Sequence, residues 1–401
     1  MADIEELLPI SGIRLASVAA GIKKNGNDDM VVMAIYESSN CAASFTKNAF
    51  CAAPVTLARK HLSQSSPRAL LINSGNANAG TGDTGMQNAQ QSCQWLADEL
   101  GVLPEQVLPF STGVIGEQLQ MPVLQSGITQ VIPKLAEDNW IAAARGIMTT
   151  DTVAKALSRK VLLDGKEISI SGIAKGSGMI CPDMATMLAF IATDANVDSE
   201  FLQYCLSQAV DDSFNAITVD GDTSTNDACV VIATGKAGNR RLIESSQDSD
   251  KFIDAIKEVC LYLAQAIVRD AEGATKFVTV SVDKANTKSE ARKVAYTIAH
   301  SPLVKTALFA SDPNWGRILA AVGRAGVQQL VISNVDIFIG DVCIVRDGGV
   351  DSNYTEEKGQ AVMNEKEITI TVELGRGEES AMIWTSDLSH EYVRINSEYR
   401  S

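Results

Sequence analysis

Short apolar runs alternate with helix-like patterns along most of the chain. Residues 31–36 and 69–72 are continuous apolar runs, which are typical of strands buried on both faces. Between residues 83 and 101, apolar side chains recur at helical spacing from a polar start to a glycine stop, which predicts a helix. Similar reasoning predicts a strand at 186–193 and helices from 198 or 199 onward and over about 250–271. This alternation predicts an α/β protein.

The pattern changes after Phe277. Apolar and polar positions alternate strictly over 278–282, which is typical of a strand with one buried face. A helix is predicted near 289–299, paired strands around 337–345, and further strands at 367–374 and 392–395. We therefore place a domain boundary near residue 280, with a larger α/β domain at 1–280 and a smaller one at 281–401. Two domains also fit the length of 401 residues, because single cores stop growing near ~250–300 residues.

Composition and charge narrow the partners. With 45% hydrophobic and 21% charged residues the chain is an ordinary globular sequence. The net charge of −15 disfavours nucleic acid and anionic membrane surfaces, which are bound through clustered Lys and Arg. No apolar run approaches the ~20 residues that cross a bilayer, and no targeting pattern is visible at the start. We expect a cytoplasmic protein.

Cysteine and histidine usage limits the chemistry. The eight cysteines form no Cys-x-x-Cys pair and several lie in apolar-periodic segments, so we expect reduced core residues. Three histidines leave little room for a zinc site or a histidine-based triad, and we expect no metal. The sequence also lacks both Gly-rich phosphate-binding motifs, which disfavours nucleotide binding. Catalysis must then proceed without a conventional histidine base.

An acidic region invites two explanations. Residues 196–235 contain seven Asp or Glu and no Lys or Arg, a negative field that would attract a cationic substrate. Helix caps and a solvated face explain most of this pattern, and we favour them. Residues 220–227 resemble a calcium loop, but Thr225 stands where glycine is required. We expect a turn-rich loop there whose side chains bond nearby backbone.

The most informative stretch is residues 172–194. A glycine-rich segment leads to Ala185 and then Thr186, which opens an apolar strand. A threonine hydroxyl is a poor nucleophile, but at a chain N-terminus its free α-amine titrates near ~8 and is placed to act as base. This chemistry requires a cut between Ala185 and Thr186. On residue type alone, a threonine at this position is more often simply a strand former.

Further motifs accompany this stretch in order along the chain. They are Asn73-Ser-Gly-Asn-Ala-Asn-Ala, Ser111-Thr-Gly-Val-Ile-Gly116, Met148-Thr-Thr-Asp-Thr152, Ile217-Thr-Val-Asp-Gly-Asp-Thr-Ser-Thr-Asn-Asp227, Glu272-Gly-Ala-Thr-Lys276, Asp312-Pro-Asn-Trp-Gly-Arg317 and Asp387-Leu-Ser-His-Glu-Tyr-Val-Arg-Ile-Asn396. Together with residues 175–186, they closely resemble the bifunctional glutamate N-acetyltransferase / ornithine acetyltransferase family of arginine biosynthesis. The resemblance covers nearly the whole chain.

The resemblance implies a set of site residues. It implies self-cleavage into an α chain, 1–185, and a β chain, 186–401, with Thr186 as nucleophile and, through its α-amine, base. It places the oxyanion hole at Thr112 and Gly113, and substrate contacts at Thr152, Lys175, Thr186, Glu272, Asn396 and Ser401. On residue type alone, Lys175 would be an exposed lysine, Glu272 a solvated helix-end charge and Asn396 a turn residue.

The resemblance also implies a reaction and an architecture. The reaction is ping-pong acetyl transfer from N²-acetyl-L-ornithine to L-glutamate, without metal or cofactor. Whether acetyl-CoA is a second donor stays open. The implied fold is a layered α/β sandwich built around Thr186 with a smaller C-terminal α/β domain closing the substrate site, assembled as an α2β2 heterotetramer. The alternatives are an ornithine-only acetyltransferase, a self-processing aminopeptidase or amidohydrolase, and a non-catalytic amino-acid-binding protein.

Overall fold

The computed structural model describes residues 7–181 and 187–398. These residues form two compact units. Unit 1 comprises residues up to 215 and 223–267, and unit 2 comprises 216–222 and the residues from 268 onward. The expected boundary near residue 280 differs from this division, since it falls inside the strand Phe277–Ala285. The short segment 216–222 joins unit 2 partly because Ile217 pairs with Trp384.

Unit 1 contains nine strands and six α-helices among the residues described. In chain order they are Ile13–Val18 (β1), Met30–Ile35 (β2), Asn40–Phe45 (β3), Ala53–Gln64 (α1), Ala69–Asn76 (β4), Gly82–Leu100 (α2), Val107–Val114 (β5), Met121–Val131 (α3), Trp140–Gly146 (α4), Lys155–Leu163 (β6), Lys166–Lys175 (β7), Leu188–Thr193 (β8), Ser199–Asp211 (α5), Ala228–Ala233 (β9) and Ser249–Arg269 (α6), whose last two residues belong to unit 2.

Two sheets face each other in unit 1. One has the order β1-β2-β4-β5 and the other β3-β9-β8-β7-β6. Apolar side chains from both sheets share one core, in which the rings of Phe110 and Phe190 meet edge to face at 5.1 Å. On the outer face of the first sheet, α2 and α3 cover a second core. Helix α5 packs against β3 and β9 of the second sheet.

Helix α6 packs closely on β7. A Cβ added at Gly172 of β7 would lie only 2.9 Å from the side chain of Val259 in α6. The predicted layered α/β sandwich is therefore confirmed.

Burial on both faces explains why β2, β8 and β9 are almost entirely apolar. In β2, Val31 and Met33 point into the core between the sheets, and Met30 and Val32 into the core beneath the helices. Strand β8 is buried at all six positions. The structure confirms, to within a few residues, the strands predicted at 31–36 and 69–72 and the helix predicted at 83–101. It also confirms the described part of the strand predicted at 186–193.

Unit 2 is a six-stranded sheet with helices. Its elements are Phe277–Ala285 (β10), Lys288–Ala299 (α7), Pro302–Phe309 (α8), Trp315–Arg324 (α9), Asp336–Ile339 (β11), Val342–Arg346 (β12), Gly349–Val350 (β13), Glu356–Met363 (α10), Glu367–Glu373 (β14), Glu379–Ser386 (β15) and His390–Ser397 (α11). The strand order is β13-β12-β11-β14-β10-β15. Strand β10 runs parallel to β14 and antiparallel to β15, and α7 packs on β10 and β15.

The prediction of a strand at 392–395 is wrong, because these residues lie in helix α11. Ser389 caps the helix by accepting from the N–H groups of Glu391 and Tyr392. Arg394 pairs with Glu391 and Glu398, one turn away on either side. Capping and these pairs outweigh the strand preference of two β-branched residues.

All eight cysteines are free thiols. Three are partly buried, and the other five are buried, namely Cys93, Cys181, Cys205, Cys229 and Cys260. In the loop at 220–227, Asp220 and Ser224 accept from backbone N–H groups two residues ahead, which confirms the predicted turn chemistry. Within the described parts of the chain, no helix is long and apolar enough to cross a membrane.

Candidate active site

The predicted site residues fall into three groups. Ala185, Thr186 and Ser401 lie outside the described residues. Unit 1 contains Thr112, Gly113, Thr152 and Lys175, and unit 2 contains Glu272 and Asn396.

Lys175 is buried beside Thr112. It is the last residue of β7, where the paired strands β6 and β8 flank it, and it is 4% exposed. Its Nζ donates to Thr112 Oγ1 at 3.3 Å, and Thr112 is 6% exposed. The expectation of an exposed lysine from residue type alone does not hold. An ammonium buried in this way interacts strongly with a carboxylate, so this position is suited to binding one.

Gly113 follows Thr112 at a point that only glycine fits. Its φ of +131° is a backbone conformation that other residues rarely adopt. A Cβ there would lie 2.3 Å from the carbonyl carbon of Gly75 on the neighbouring strand β4. The parallel pairing of β4 and β5 shifts register at this point. Bulges of this kind often re-aim groups next to active sites.

Asp151, which sequence reasoning did not single out, organises the surroundings of Lys175. Its side chain is fully buried and accepts from Lys155 Nζ at 2.7 Å and from the Gly176 N–H at 2.7 Å. Burial alone would raise the pKa of Asp151, but the charges of Lys175 and Lys155 and the Gly176 N–H hold this pKa well below its ordinary value. Asp151 therefore stays ionised and fixes the backbone that follows Lys175. The neighbouring Thr152 is exposed.

Asp227 is a second buried acid that sequence reasoning did not assign. It is 1% exposed and precedes β9. Its Oδ1 accepts from the N–H of Met187 at 3.1 Å, and Met187 is the residue that follows Thr186. Asp151 lies next to the end of the motif at 148–152, and Asp227 ends the motif at 217–227. The sequence feature that could have indicated them is an aspartate at the end of a segment rich in threonine and serine.

In unit 2, Glu272 and Asn396 are hydrogen-bonded to each other. Asn396 Nδ2 donates to Glu272 Oε2 at 2.8 Å and to the carbonyl of Tyr392 at 3.0 Å. Glu272 is 9% exposed, so it is not the solvated charge that its type suggests. Asn396 lies in helix α11 and not in a turn.

Helix α11 is held tightly against the segment that carries Glu272. Ser389 Oγ donates to the Gly273 carbonyl at 2.6 Å. Asp387 accepts from the N–H groups of Thr275 and Lys276. Gly273 has φ +67°, and a Cβ there would lie 2.5 Å from the N of Tyr392. The helix is therefore a packed part of unit 2, and it brings Asn396 to Glu272.

Each of these two arrangements is suited to one charged group of a ligand. Unit 1 offers a buried cation beside a hydroxyl, suited to a carboxylate, and unit 2 offers a carboxylate oriented by an amide, suited to an ammonium. Among the described residues, no group of three or more His, Cys, Asp or Glu side chains is arranged to hold a metal ion.

The chain resembles known proteins along nearly its whole length. The sequence profile of the ArgJ family matches residues 14–401. The chain is 54% identical over 402 residues to the arginine biosynthesis bifunctional protein ArgJ of Pseudomonas fluorescens, with 100% of this chain and 99% of the relative covered. It is 55% identical to the protein of the same name from Methylococcus capsulatus, with 100% and 98% covered.

A solved structure also matches. The crystal structure of the arginine biosynthesis bifunctional protein ArgJ from Bacillus halodurans aligns with 41% identity and a TM-score of 0.49, covering 51% of this chain and 96% of that one. Because the family profile and both full-length relatives extend over essentially the whole chain, the protein belongs to the ArgJ family of bifunctional enzymes of arginine biosynthesis.

Proposed function

We propose that the enzyme transfers an acetyl group from N²-acetyl-L-ornithine to L-glutamate through an acetyl ester on Thr186. Cleavage of the Ala185–Thr186 bond first creates the free α-amine. That amine accepts the hydroxyl proton while Oγ attacks the acetyl carbonyl carbon. The bond from this carbon to N² of ornithine then breaks, and the nitrogen takes the proton as it leaves.

The second half-reaction reverses these roles with another amine. The α-amine of glutamate attacks the acetyl carbon, the bond to Oγ breaks, and Oγ recovers its proton. N-acetylglutamate is released and the enzyme returns to its starting state. The α-amine of Thr186 serves as base and then acid in each half, so no histidine is needed.

The observation that carries this proposal is the buried Lys175 beside Thr112. We assign the backbone N–H groups of Thr112 and Gly113 to the developing oxyanion, where one such donor is worth ~10²–10³ in rate. Lys175, aided by Thr152, would hold the substrate carboxylate. The 3.3 Å contact between Lys175 Nζ and Thr112 Oγ1 supports a shared location for these two tasks.

We assign the side-chain ammonium of ornithine to Glu272, oriented by Asn396, with Ser401 as a further hydrogen-bond partner. The 2.8 Å bond from Asn396 Nδ2 to Glu272 Oε2 supports this assignment, because it orients the carboxylate that would receive the ammonium.

We further propose that the enzyme needs no metal or cofactor and that acetyl-CoA acts as a second acetyl donor to glutamate. The cleaved chains assemble as an α2β2 heterotetramer. The protein works in the cytoplasm, where amino-acid biosynthesis supplies its substrates.

A three-part assay tests the function. Purified enzyme is given acetylornithine with glutamate, acetylornithine alone, or acetyl-CoA with glutamate, and N-acetylglutamate and acetate are measured. We expect N-acetylglutamate in the first and third mixtures and little acetate in the second. Acetate as the main product would favour the amidohydrolase, activity in the first mixture alone the ornithine-only transferase, and no turnover the binding protein.

A further inference from the structure

Asp227 is a buried acid that the proposed mechanism does not use. It is 1% exposed, and among the described residues its Oδ2 has no hydrogen-bond partner. Buried polar atoms without partners are rare in folded proteins, so each calls for a physical reason. The other oxygen, Oδ1, accepts from the N–H of Met187 at 3.1 Å.

The contact with Met187 is part of a two-sided attachment. The parallel pairing of β8 and β9 begins at Leu188 and Ala228. Just before it, the N–H of Ala228 donates to the Met187 carbonyl at 3.1 Å. Both peptide groups of Met187 are therefore held by residues 227 and 228. Met187 is 1% exposed, so water does not compete for these bonds.

Asp227 is itself rigidly placed. Its carbonyl accepts from the N–H of Thr46 at 3.0 Å, and Thr46 Oγ1 donates to the Ser224 carbonyl at 2.8 Å. A side chain on a fixed backbone can transmit that fixed position to what it binds. What Asp227 binds is the N–H of the peptide that joins Thr186 to Met187.

We propose that Asp227 is a positioning residue for the nucleophile: by holding the Met187 N–H, it fixes the peptide that follows Thr186 and so the direction of the Thr186 hydroxyl and amine. This inference rests on the proposed function of Thr186. It assigns Asp227 no contact with substrate.

Substitutions of Asp227 can separate the loss of its hydrogen-bond acceptor from the loss of its carboxyl group. Burial raises the pKa of Asp227 well above its ordinary value, and the Met187 N–H, the nearby Ser224 hydroxyl and the charge of Lys175 offset only part of that rise. A neutral carboxyl group still accepts through Oδ1. An asparagine amide has the same shape and the same acceptor, so Asp227→Asn should keep the function that Asp227→Ala removes.

The experiment compares Asp227→Asn, Asp227→Ala and Asp227→Leu with the parent. Asp227→Leu retains most of the side-chain volume but has no hydrogen-bond acceptor, so it tests the loss of the acceptor even if the alanine variant fails to fold. Cys229→Ala is the matched control, because it truncates a buried side chain two residues away, at a position of β9 that pairs with Ala189. The rate of chain splitting, kcat, KM for acetylornithine and the melting temperature are measured for each.

We expect Asp227→Ala and Asp227→Leu to lower kcat by about 10²-fold, the cost of a ~1 Å misplacement, with KM changed less than about threefold. Asp227→Asn should stay within about threefold of the parent, and Cys229→Ala should lower the melting temperature without lowering kcat. Parent kcat in both acceptor-free variants would overturn the inference. So would an Asp227→Asn enzyme as impaired as Asp227→Ala, because the carboxyl group itself would then be required.

The products and the splitting of the parent enzyme test the proposed function separately from the role of Asp227. A parent enzyme that splits but releases only acetate would refute acetyl transfer to glutamate, and the splitting rates of the variants would still decide the role of Asp227. A parent that never splits would refute both.

Discussion

Replacing Gly113 with alanine tests whether the close approach of β5 to β4 at this residue is part of the catalytic machinery. The added Cβ would lie 2.3 Å from Gly75 C and 2.6 Å from Asn76 N. Both are backbone atoms, so no side chain can rotate away, and strands β4 and β5 must move apart. The residue would also have to adopt, or abandon, a φ of +131°.

The expected cost has two parts. A non-glycine residue in such a sparsely populated conformation costs on the order of 1–3 kcal/mol. Overpacking against backbone adds roughly 1–3 kcal/mol. We therefore expect a loss of about 2–6 kcal/mol in the free energy of unfolding. Because the same shift moves the Thr112 and Gly113 N–H groups, kcat should fall by ~10²–10³, the value of one oxyanion donor.

Urea denaturation and steady-state acetyl transfer measure the two effects separately. Gly116→Ala is the matched control, since Gly116 has φ +85° but a Cβ there meets nothing within 4 Å. It should lose only the conformational part of the stability and keep kcat. A Gly113→Ala enzyme with the kcat of Gly116→Ala would refute the oxyanion assignment, even if it is less stable.

Three further predictions concern the charges around the site. Lys175→Met should lower kcat/KM for acetylornithine by about 10²-fold, because the buried cation that would bind the substrate carboxylate is lost. Lys160→Met, which breaks an exposed ion pair between β6 and β7, should change kcat/KM little. Similar values for both variants would contradict the role of Lys175. Asn396→Ala should raise KM for acetylornithine with little change in kcat, whereas Ser397→Ala, which removes a hydroxyl that donates to the Arg394 carbonyl, should leave KM unchanged. Equal KM values for the two variants would remove Asn396 from substrate binding. Because folding lowers the pKa of Asp151, its ionised form stabilises the fold above the unfolded pKa of ~3.9, and this stability is lost as pH falls from there toward the folded pKa. The difference in unfolding free energy between the parent and Asp151→Asn, measured in urea, should therefore be smaller at pH 3 than at pH 6. An equal difference at both pH values would contradict this.

Much of the fold could be predicted because local patterns agree with packing. Helix α5 begins after Asp198, whose side chain caps it, and the apolar run of β8 is buried at every position, as its composition indicates. Residues 392–395 were mispredicted because four residues are too few to distinguish strand from helix, and the deciding cap, Ser389, lies outside them. The assignment of 216–222 to unit 2 depends on pairing with β15, which no local pattern reveals.

The site was predictable only in part, for a similar reason. The resemblance carried by the motifs implies Thr112, Gly113 and Lys175, whereas residue type alone places Lys175 on the surface. Its burial follows from the pairing of β7 with both β6 and β8, a property of distant sequence. The role of Asp227 depends on the register of β8 against β9 and is equally invisible along the chain.

The mass of the purified protein tests the central claim most directly. If Thr186 is the nucleophile, the parent runs as two chains corresponding to residues 1–185 and 186–401, and Thr186→Ala remains one chain of 401 residues without transferase activity. Both the attacking hydroxyl and the future base are lost in that variant. A Thr186→Ala protein that still splits at the same bond, or an uncut parent that transfers acetyl groups, would contradict the account.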